Sequence, residues 1–435
     1  MLGRCPVCGE WGTYEEEVTT SSKVRGERRE LRGTAQPQRL QDVVASEEMR
    51  IDMHNGELNR VLGGGLVPGS LVLLGGEPGI GKSTLALQVL MQQGERKTFY
   101  ASGEESVRQL KLRAERLTGN AENLFISSET SLERILEQVK ELEPEMVVID
   151  SIQTIGTEAV DATIGSLTQV RECAARVLEF AKTRNIPFII IGHINKEGAL
   201  AGPKVLEHIV DTVLQFEGDQ QYMYRILRAQ KNRFGSTSEI GIYEMRQEGL
   251  REVSNPSELL LSTAREGLSG IAIAAAVEGV RPFLIEVQAL VSSAAYGTPQ
   301  RSSTGFDGRR LNMLLAVLEK RIGFKLLQKD VFLNIAGGLR VQDPAIDLAV
   351  LAAVLSSNMD MALDAGTCLC GEVGLAGEIR PVTRIEQRIA EAQKLGFRRI
   401  LIPADHKIDT RRYTIEVVPV KRVTDAFRLL IKNNA

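Results

Sequence analysis

The chain has little cysteine and few aromatic side chains: 5 Cys, 1 Trp and 5% aromatic residues among 435. Five cysteines spread over that length build no disulfide framework, and the expected compartment is the reducing cytoplasm. Long apolar runs are missing too. The stretch from Ile186 to Ile194 falls far short of the roughly 20 residues that span a bilayer, so no membrane association is expected. The N-terminus has neither an apolar signal core nor an amphipathic transit pattern, and no export signal is expected. Charge of one sign is also scarce, with 53 basic against 56 acidic side chains and a formal net charge of -3. Together with 43% hydrophobic residues, this excludes global disorder and confines any nucleic-acid surface to local patches. No repeat of fixed period is evident.

What is present divides into three zones. Residues 1–45 are polar, with Cys5 and Cys8 near the start and a mixed-charge stretch from Lys23 to Arg32. The stretch reads either as a solvated linker or as a basic arm touching phosphates. Over residues 46–255, short apolar runs at Leu71–Leu74, Thr98–Ala101, Met146–Ile149, Phe188–Ile191 and Thr212–Phe216 alternate with helical patterns. In the helix expected over 166–182, Leu167, Val170, Ala174, Val177, Leu178 and Ala181 form one stripe at spacings of 3 and 4. Buried strands alternating with amphipathic helices predict an α/β fold with a mainly parallel sheet covered on both faces. Near Pro256 the texture changes, and residues 256–435 predict an α+β domain with a hairpin over Gly371 to Glu378.

Gly76-Glu77-Pro78-Gly79-Ile80-Gly81-Lys82-Ser83 satisfies G-x-x-x-x-G-K-[ST], with Thr84 following, between an expected strand and an expected helix. The glycines let backbone N–H groups turn toward phosphates, and the helix N-terminus adds its positive dipole end. Lys82 would supply a point charge to the β and γ phosphates and Ser83 a hydroxyl to Mg²⁺, so ATP and Mg²⁺ are the expected cofactors. Met146 to Asp150 is an apolar strand ending in an acid, the place where Asp150 would hold the same Mg²⁺. Hydrolysis further needs a carboxylate to orient water, and either Glu104 or Glu105, just beyond another strand, is placed for it.

Lys231-Asn232-Arg233-Phe234-Gly235 follows this core. With that motif the chain resembles the bacterial RadA/Sms family of DNA-repair and recombination ATPases, which are similar to replicative hexameric helicases. The resemblance covers nearly the whole chain: the cysteine pair, the phosphate loop, Gly103 to Ser106, the KNRFG segment and a C-terminal region like that of Lon proteases. It implies a RecA-like P-loop core, with Glu104 matching the water-activating glutamate. It also implies a ring, expected to be hexameric, that moves on single-stranded DNA and promotes branch migration of recombination intermediates. Branched DNA and a recombinase filament are the implied partners. The alternative is a nucleotide-switched DNA-binding scaffold that does not translocate. Lys231 and Arg233 lie two apart on an extended segment and so point the same way. They suit a clamp on the γ-phosphate of a neighbouring subunit, although two solvated surface cations would look alike in sequence.

By the same resemblance two loops would face DNA. One runs from Gln153 to about Thr163. The other runs from His193 to Lys204, where Lys196 and Lys204 offer phosphate contacts. His193 would either sense the γ-phosphate or serve the fold.

The family pattern breaks in two places. Its zinc module has two C-x-x-C pairs, and here Cys5, Cys8 and Trp11 match only the second, as though the chain starts late. Zinc wants four ligands, so Cys5 and Cys8 are expected to hold it only if the first pair is restored. In the Lon-like region, Ala345 stands at the nucleophile position within Asp343 to Asp347, and Glu386 at the lysine position. Without the Ser–Lys pair no proteolysis is expected. Arg301, Arg309, Arg310, Arg384 and Arg388 are the candidates there for a basic surface.

Overall fold

The structure, a computed structural model, describes residues 49–193, 206–218, 224–262, 267–294, 299–326 and 328–432. It opens with helix α1 (Gly56–Leu62), whose N-cap Asn55 accepts from the Leu58 N–H at 2.9 Å. Strand β1 (Leu71–Gly76) runs straight into helix α2 (Lys82–Met91) through the phosphate-loop segment. Then follow β2 (Thr98–Ser102), α3 (Val107–Ala114), β3 (Leu124–Ser128), α4 (Leu132–Leu142), β4 (Met146–Asp150), α5 (Leu167–Arg184) and β5 (Phe188–His193). Four strands close the first sheet: β6 (Thr212–Glu217), β7 (Tyr224–Asn232), β8 (Ile240–Arg246) and β9 (Gly249–Glu252).

These strands lie in the order β3-β2-β4-β5-β1-β6-β7-β8-β9. All pairs from β3 to β6 are parallel, and the pairs from β6 to β9 are antiparallel. Alternate residues of β1 and β5 feed two cores. Val72, Leu74, Ile189 and Ile191 pack with α2 on one face, while Leu71, Leu73, Phe188 and Ile190 pack with α4 and α5 on the other. Burial on both faces is why these strands read as unbroken apolar runs. The helix expected over 166–182 is α5. Ser166 Oγ caps its start by accepting from the Gln169 N–H, and Asn185 ends it in the left-handed conformation.

The remainder begins with α6 (Pro256–Leu260), β10 (Ile271–Glu278) and β11 (Arg281–Ser293). It continues through β12 (Arg301–Thr304), α7 (Gly308–Val317), β13 (Lys329–Ile335), α8 (Asp347–Met359), β14 (Thr367–Leu369), β15 (Glu372–Val373) and β16 (Ile379–Arg380). Helix α9 (Ile385–Lys394), β17 (Arg399–Pro403), β18 (Glu416–Val420) and α10 (Val423–Lys432) complete it. A mixed sheet of order β12-β13-β11-β10-β14-β17-β18 forms the frame, and β15 and β16 make the hairpin expected over Gly371 to Glu378. Helix α8 is buried on every side from Asp347 to Ser356, against one face of this sheet. The other face packs on Ile385, Ile389 and Ala392 of α9.

Candidate active site

The phosphate loop lies at the C-terminal end of β1 and opens α2. Gly81 sits at φ 114°, and a Cβ there would stand 2.7 Å from the Met245 methyl. At Gly76 a Cβ would stand 2.8 Å from the Phe216 carbonyl oxygen. Both positions therefore require glycine. Lys82 is 3% exposed, and its ammonium donates to the carbonyl oxygens of Gly76 and Glu77, each at 2.9 Å. Burial pulls its pKa down to about 8, against the opposing pull of the Asp150 and Glu104 carboxylates. Ile80 is buried under the loop, whereas Pro78 and Gly79 are exposed, and Ser83 and Thr84 are half-buried at the first turn of α2.

Asp150 ends β4 beside Ser102, the last residue of β2. Its Oδ2 accepts from the Tyr100 hydroxyl at 2.5 Å, while its Oδ1 is buried without a hydrogen-bond partner. An orphaned carboxylate oxygen whose charge is felt at Lys82 fits a hydrated Mg²⁺ and a triphosphate, because such an atom is costly unless a cation or ordered water meets it. Ser83 and Asp150 are the groups that would hold that ion.

The two glutamates beyond β2 diverge. Glu104 Oε1 accepts from the Ser151 hydroxyl at 2.6 Å, beside Asp150, and its charge is felt at Lys82. Glu105 turns away into an ion pair with Arg113 of α3. Of the two candidates, the geometry brings Glu104 to the phosphate loop. Sequence reasoning missed Tyr100 and Ser151, which orient the two carboxylates; a tyrosine inside a strand and a serine after an acid carry no spacing signal.

Lys231 and Arg233 are elsewhere. Asn232 pairs with Thr212, and Thr212 with Val72, near the start of β1. Gly76 lies four residues further along β1, roughly 13 Å at strand rise. The KNRFG segment thus lies at the opposite end of the sheet from its own phosphate loop. Lys231 Nζ donates to the carbonyl oxygens of Glu207 and Val210, the latter at 2.8 Å. Burial and the neighbouring Arg233 lower its pKa. Arg233 is paired with Asp211 at 3.0 Å. Asn232 ties the segment to α1 by donating to the Val61 and Leu62 carbonyl oxygens at 3.2 Å, and Phe234 O accepts from Arg50 at 2.6 Å.

The loop from Gln153 to Thr163 contains no Lys or Arg. It is held by Gln169, whose amide donates to the carbonyl oxygens of Thr157, Val160 and Ala162. Lys196, Lys204, Cys5 and Cys8 lie outside the described residues, as does the His193 side chain. Cys173, Cys368 and Cys370 are buried and free.

In the second sheet, Ala345 is fully buried and its N–H donates to Asp343 Oδ1 at 3.0 Å; Glu386 is exposed. Of the arginines expected to form a basic surface, Arg301, Arg309 and Arg384 are exposed, and the other two need correcting. Arg388 is 1% exposed and donates to Asp343 Oδ2 at 2.6 Å and to the Ala275 carbonyl oxygen at 2.7 Å. Arg310 is forked onto the buried Asp347. Both are consumed by internal pairs, which the α+β core needs to neutralise two buried carboxylates.

A family described as "AAA domain" matches residues 34–199, and one described as "Subunit ChlI of Mg-chelatase" matches residues 308–406. The DNA repair protein RadA of Bacillus subtilis is 49% identical over 436 residues, covering 98% of this chain and 94% of its own. The protein of the same name from Listeria monocytogenes is 49% identical over 433 residues, covering 98% and 94%. Among solved structures, a KaiC-like protein from Pyrococcus horikoshii is similar over 47% of this chain and 99% of its own, with 20% identity and a TM-score of 0.40. The RadB recombinase has the same coverage, 22% identity and a TM-score of 0.37.

Proposed function

Because the chain belongs to the RadA family of DNA repair proteins, we propose that it is a Mg²⁺-dependent ATP hydrolase acting on DNA in repair and recombination. In this reading it forms a ring, hexameric by analogy with helicases, that binds single-stranded DNA and drives branch migration of structures made by a recombinase filament. The two sheets, ending at Glu252 and beginning at Ile271, are the motor and an assembly module without protease chemistry.

The observation that carries the reading is the placement of charge at the two ends of one sheet. Lys82, Asp150 and Glu104 gather at the C-terminal end, and Lys231 and Arg233 stand at the other. A single subunit thus has a pocket for the phosphates and a pair of cations that its own pocket cannot use. A neighbour's pocket can use them, as arginine fingers do. Lys82 would leave the loop carbonyls for the β and γ phosphates. Ser83 and Asp150 would hold Mg²⁺, which supplies charge neutralisation when bound. Glu104, oriented by Ser151, would align the attacking water and take its proton.

The test is steady-state ATP hydrolysis with and without single-stranded DNA, for the wild type, Lys82→Ala and Arg233→Ala. DNA is expected to stimulate the wild type, and each substitution to abolish that activity. If DNA changes nothing and Arg233→Ala hydrolyses normally, the chain is a nucleotide-switched scaffold instead.

A further inference from the structure

The cation that the reading above assigns to a neighbour's nucleotide is gripped within its own chain by one carboxylate, Asp211. That side chain is 2% exposed, at the end of the turn formed by 206–211, just before β6. Its two oxygens are divided between two tasks. Oδ2 accepts from the backbone N–H of Leu71, the first residue of β1, at 3.2 Å. Oδ1 accepts from an Arg233 guanidinium nitrogen at 3.0 Å, with the Lys182 ammonium 3.6 Å away. The Arg233 N–H in turn donates to the Asp211 carbonyl oxygen at 3.2 Å. The same turn supplies the two carbonyl oxygens that hold Lys231.

A buried carboxylate is costly, and a solvated surface salt bridge would not need one. Here the carboxylate is fixed by a backbone donor from the strand that carries the phosphate loop. Arg233, by contrast, keeps 48% of its side chain exposed. One face of the guanidinium is therefore anchored, and the other is free to reach outward. Anchoring limits the rotamers that an arginine otherwise samples, which favours groups needed in one geometry at the transition state.

We propose that Asp211 is a positioning residue that aims Arg233 at the nucleotide of the adjacent subunit. It also links that arginine to the start of β1, the strand of its own phosphate loop. This inference rests on the reading of Arg233 as a group that acts in trans.

The test uses mixed oligomers of full-length chains. Asp211→Asn keeps the shape of the side chain and an acceptor for the Leu71 N–H but loses the charge that holds Arg233. Alone, it is expected to lower kcat for ATP about tenfold, with KM for ATP changed by less than about twofold, since the arginine acts on the transition state. Subunits carrying Lys82→Ala cannot use their own pocket but still present an intact Arg233. Mixed with Asp211→Asn subunits, they are expected to restore hydrolysis at the pockets that the latter retain. Arg233→Ala mixed with Lys82→Ala is the control for action in trans.

If the control regains activity and the Asp211→Asn mixture does not, Asp211 acts within its own pocket, and the inference is overturned while the trans reading stands. If neither mixture regains activity, the trans reading falls and this inference falls with it. A rise in hydrolysis by Asp211→Asn alone would mean that the carboxylate restrains Arg233, which also overturns the inference. Should Asp211→Asn fail to fold, as read by circular dichroism, Asp211→Glu serves instead. It keeps the charge on a longer arm and is expected to lose less activity, with the same rescue by Lys82→Ala subunits; no rescue there overturns the inference.

Discussion

Lys82 shows how a residue legible in sequence acquires chemistry that only the fold determines. The motif identifies it as a phosphate ligand, yet the ammonium here is buried against two loop carbonyls, with its pKa at about 8 rather than 10.5. Phosphates arriving at that atom favour its charged form and so raise the pKa. Below about pH 7 the amine is protonated both before and after binding, and no proton moves. Above about pH 8 the free protein has lost part of that proton, so ATP binding must draw one in. Calorimetry at pH 8.5 in buffers of different ionisation enthalpy should show uptake of a fraction of a proton per nucleotide, and at pH 6.5 almost none; apparent affinity should fall as pH rises past 8. The glutamates make a second residue-scale case, because their place at the strand end left Glu104 and Glu105 equivalent and only the family resemblance singled out Glu104. Glu104→Gln is expected to lower hydrolysis by about 100-fold or more while leaving ATP binding within a few fold, since general-base catalysis contributes on the order of 10²–10⁴. Glu105→Gln removes only a partly exposed pair with Arg113; hydrolysis should change by less than about twofold and stability by under about 1 kcal/mol. A larger effect of Glu105→Gln in a turnover assay would exchange the two roles.

Among elements, legibility followed burial. Strands β1, β4 and β5 are covered on both faces, so their sequences are unbroken apolar runs that can be read without a structure. Helix α5 shows its stripe because one face is buried and the other wet. Strand β3 has no such signature. It is the edge strand, only partly buried and with Phe125 open to solvent, and its short run Leu124-Phe125-Ile126 was not among the strands expected from the sequence. Strand β12 fails for the same reason, as four largely polar residues at the edge of the second sheet. The KNRFG segment was legible as a motif but not as a location. Its distance from the phosphate loop follows from the antiparallel return of β7 along β6, a fact of topology that no local pattern encodes. Two of the basic candidates of the second sheet, Arg310 and Arg388, failed differently. Helix periodicity cannot say that Arg388, on α9, turns inward to neutralise Asp343.

For the molecule as a whole, the two sheets meet where Tyr224 and Ile226 of β7 pack on the second core and at the tip of the β10–β11 hairpin. There Gly279, at φ 62°, approaches the Ser238 carbonyl so closely that a Cβ would lie 1.7 Å from it. On one side of the tip, Glu278 pairs with Arg228 of β7 at 2.6 Å. On the other, the Arg281 guanidinium donates to Glu57 of α1 and to the carbonyl oxygens of Val253 and Ser254 at 2.8 and 2.7 Å. Glu57 is 3% exposed and also accepts from the Ile242 N–H, so the hairpin supplies the nearer countercharge, beside Arg60 at 3.7 Å, for a carboxylate buried in the first core. Helix α1 and β7 are the same two elements that Asn232 ties together, which puts the second sheet in mechanical contact with the segment carrying Lys231 and Arg233. Removing one partner of such a buried pair leaves the other uncompensated, at a cost of about 3–5 kcal/mol. Arg281→Ala is therefore expected to lower the melting temperature. In differential scanning calorimetry it should also split unfolding into two transitions, with the first sheet melting earlier. Replacing both partners with apolar groups of similar size, Glu57→Leu with Arg281→Met, removes the buried charge altogether and should recover at least half of the loss. A single undisplaced transition in Arg281→Ala would show that the two sheets hold together without the hairpin's charge, through the packing of Tyr224 and Ile226 on the second core and the contact at Gly279 and Ser238.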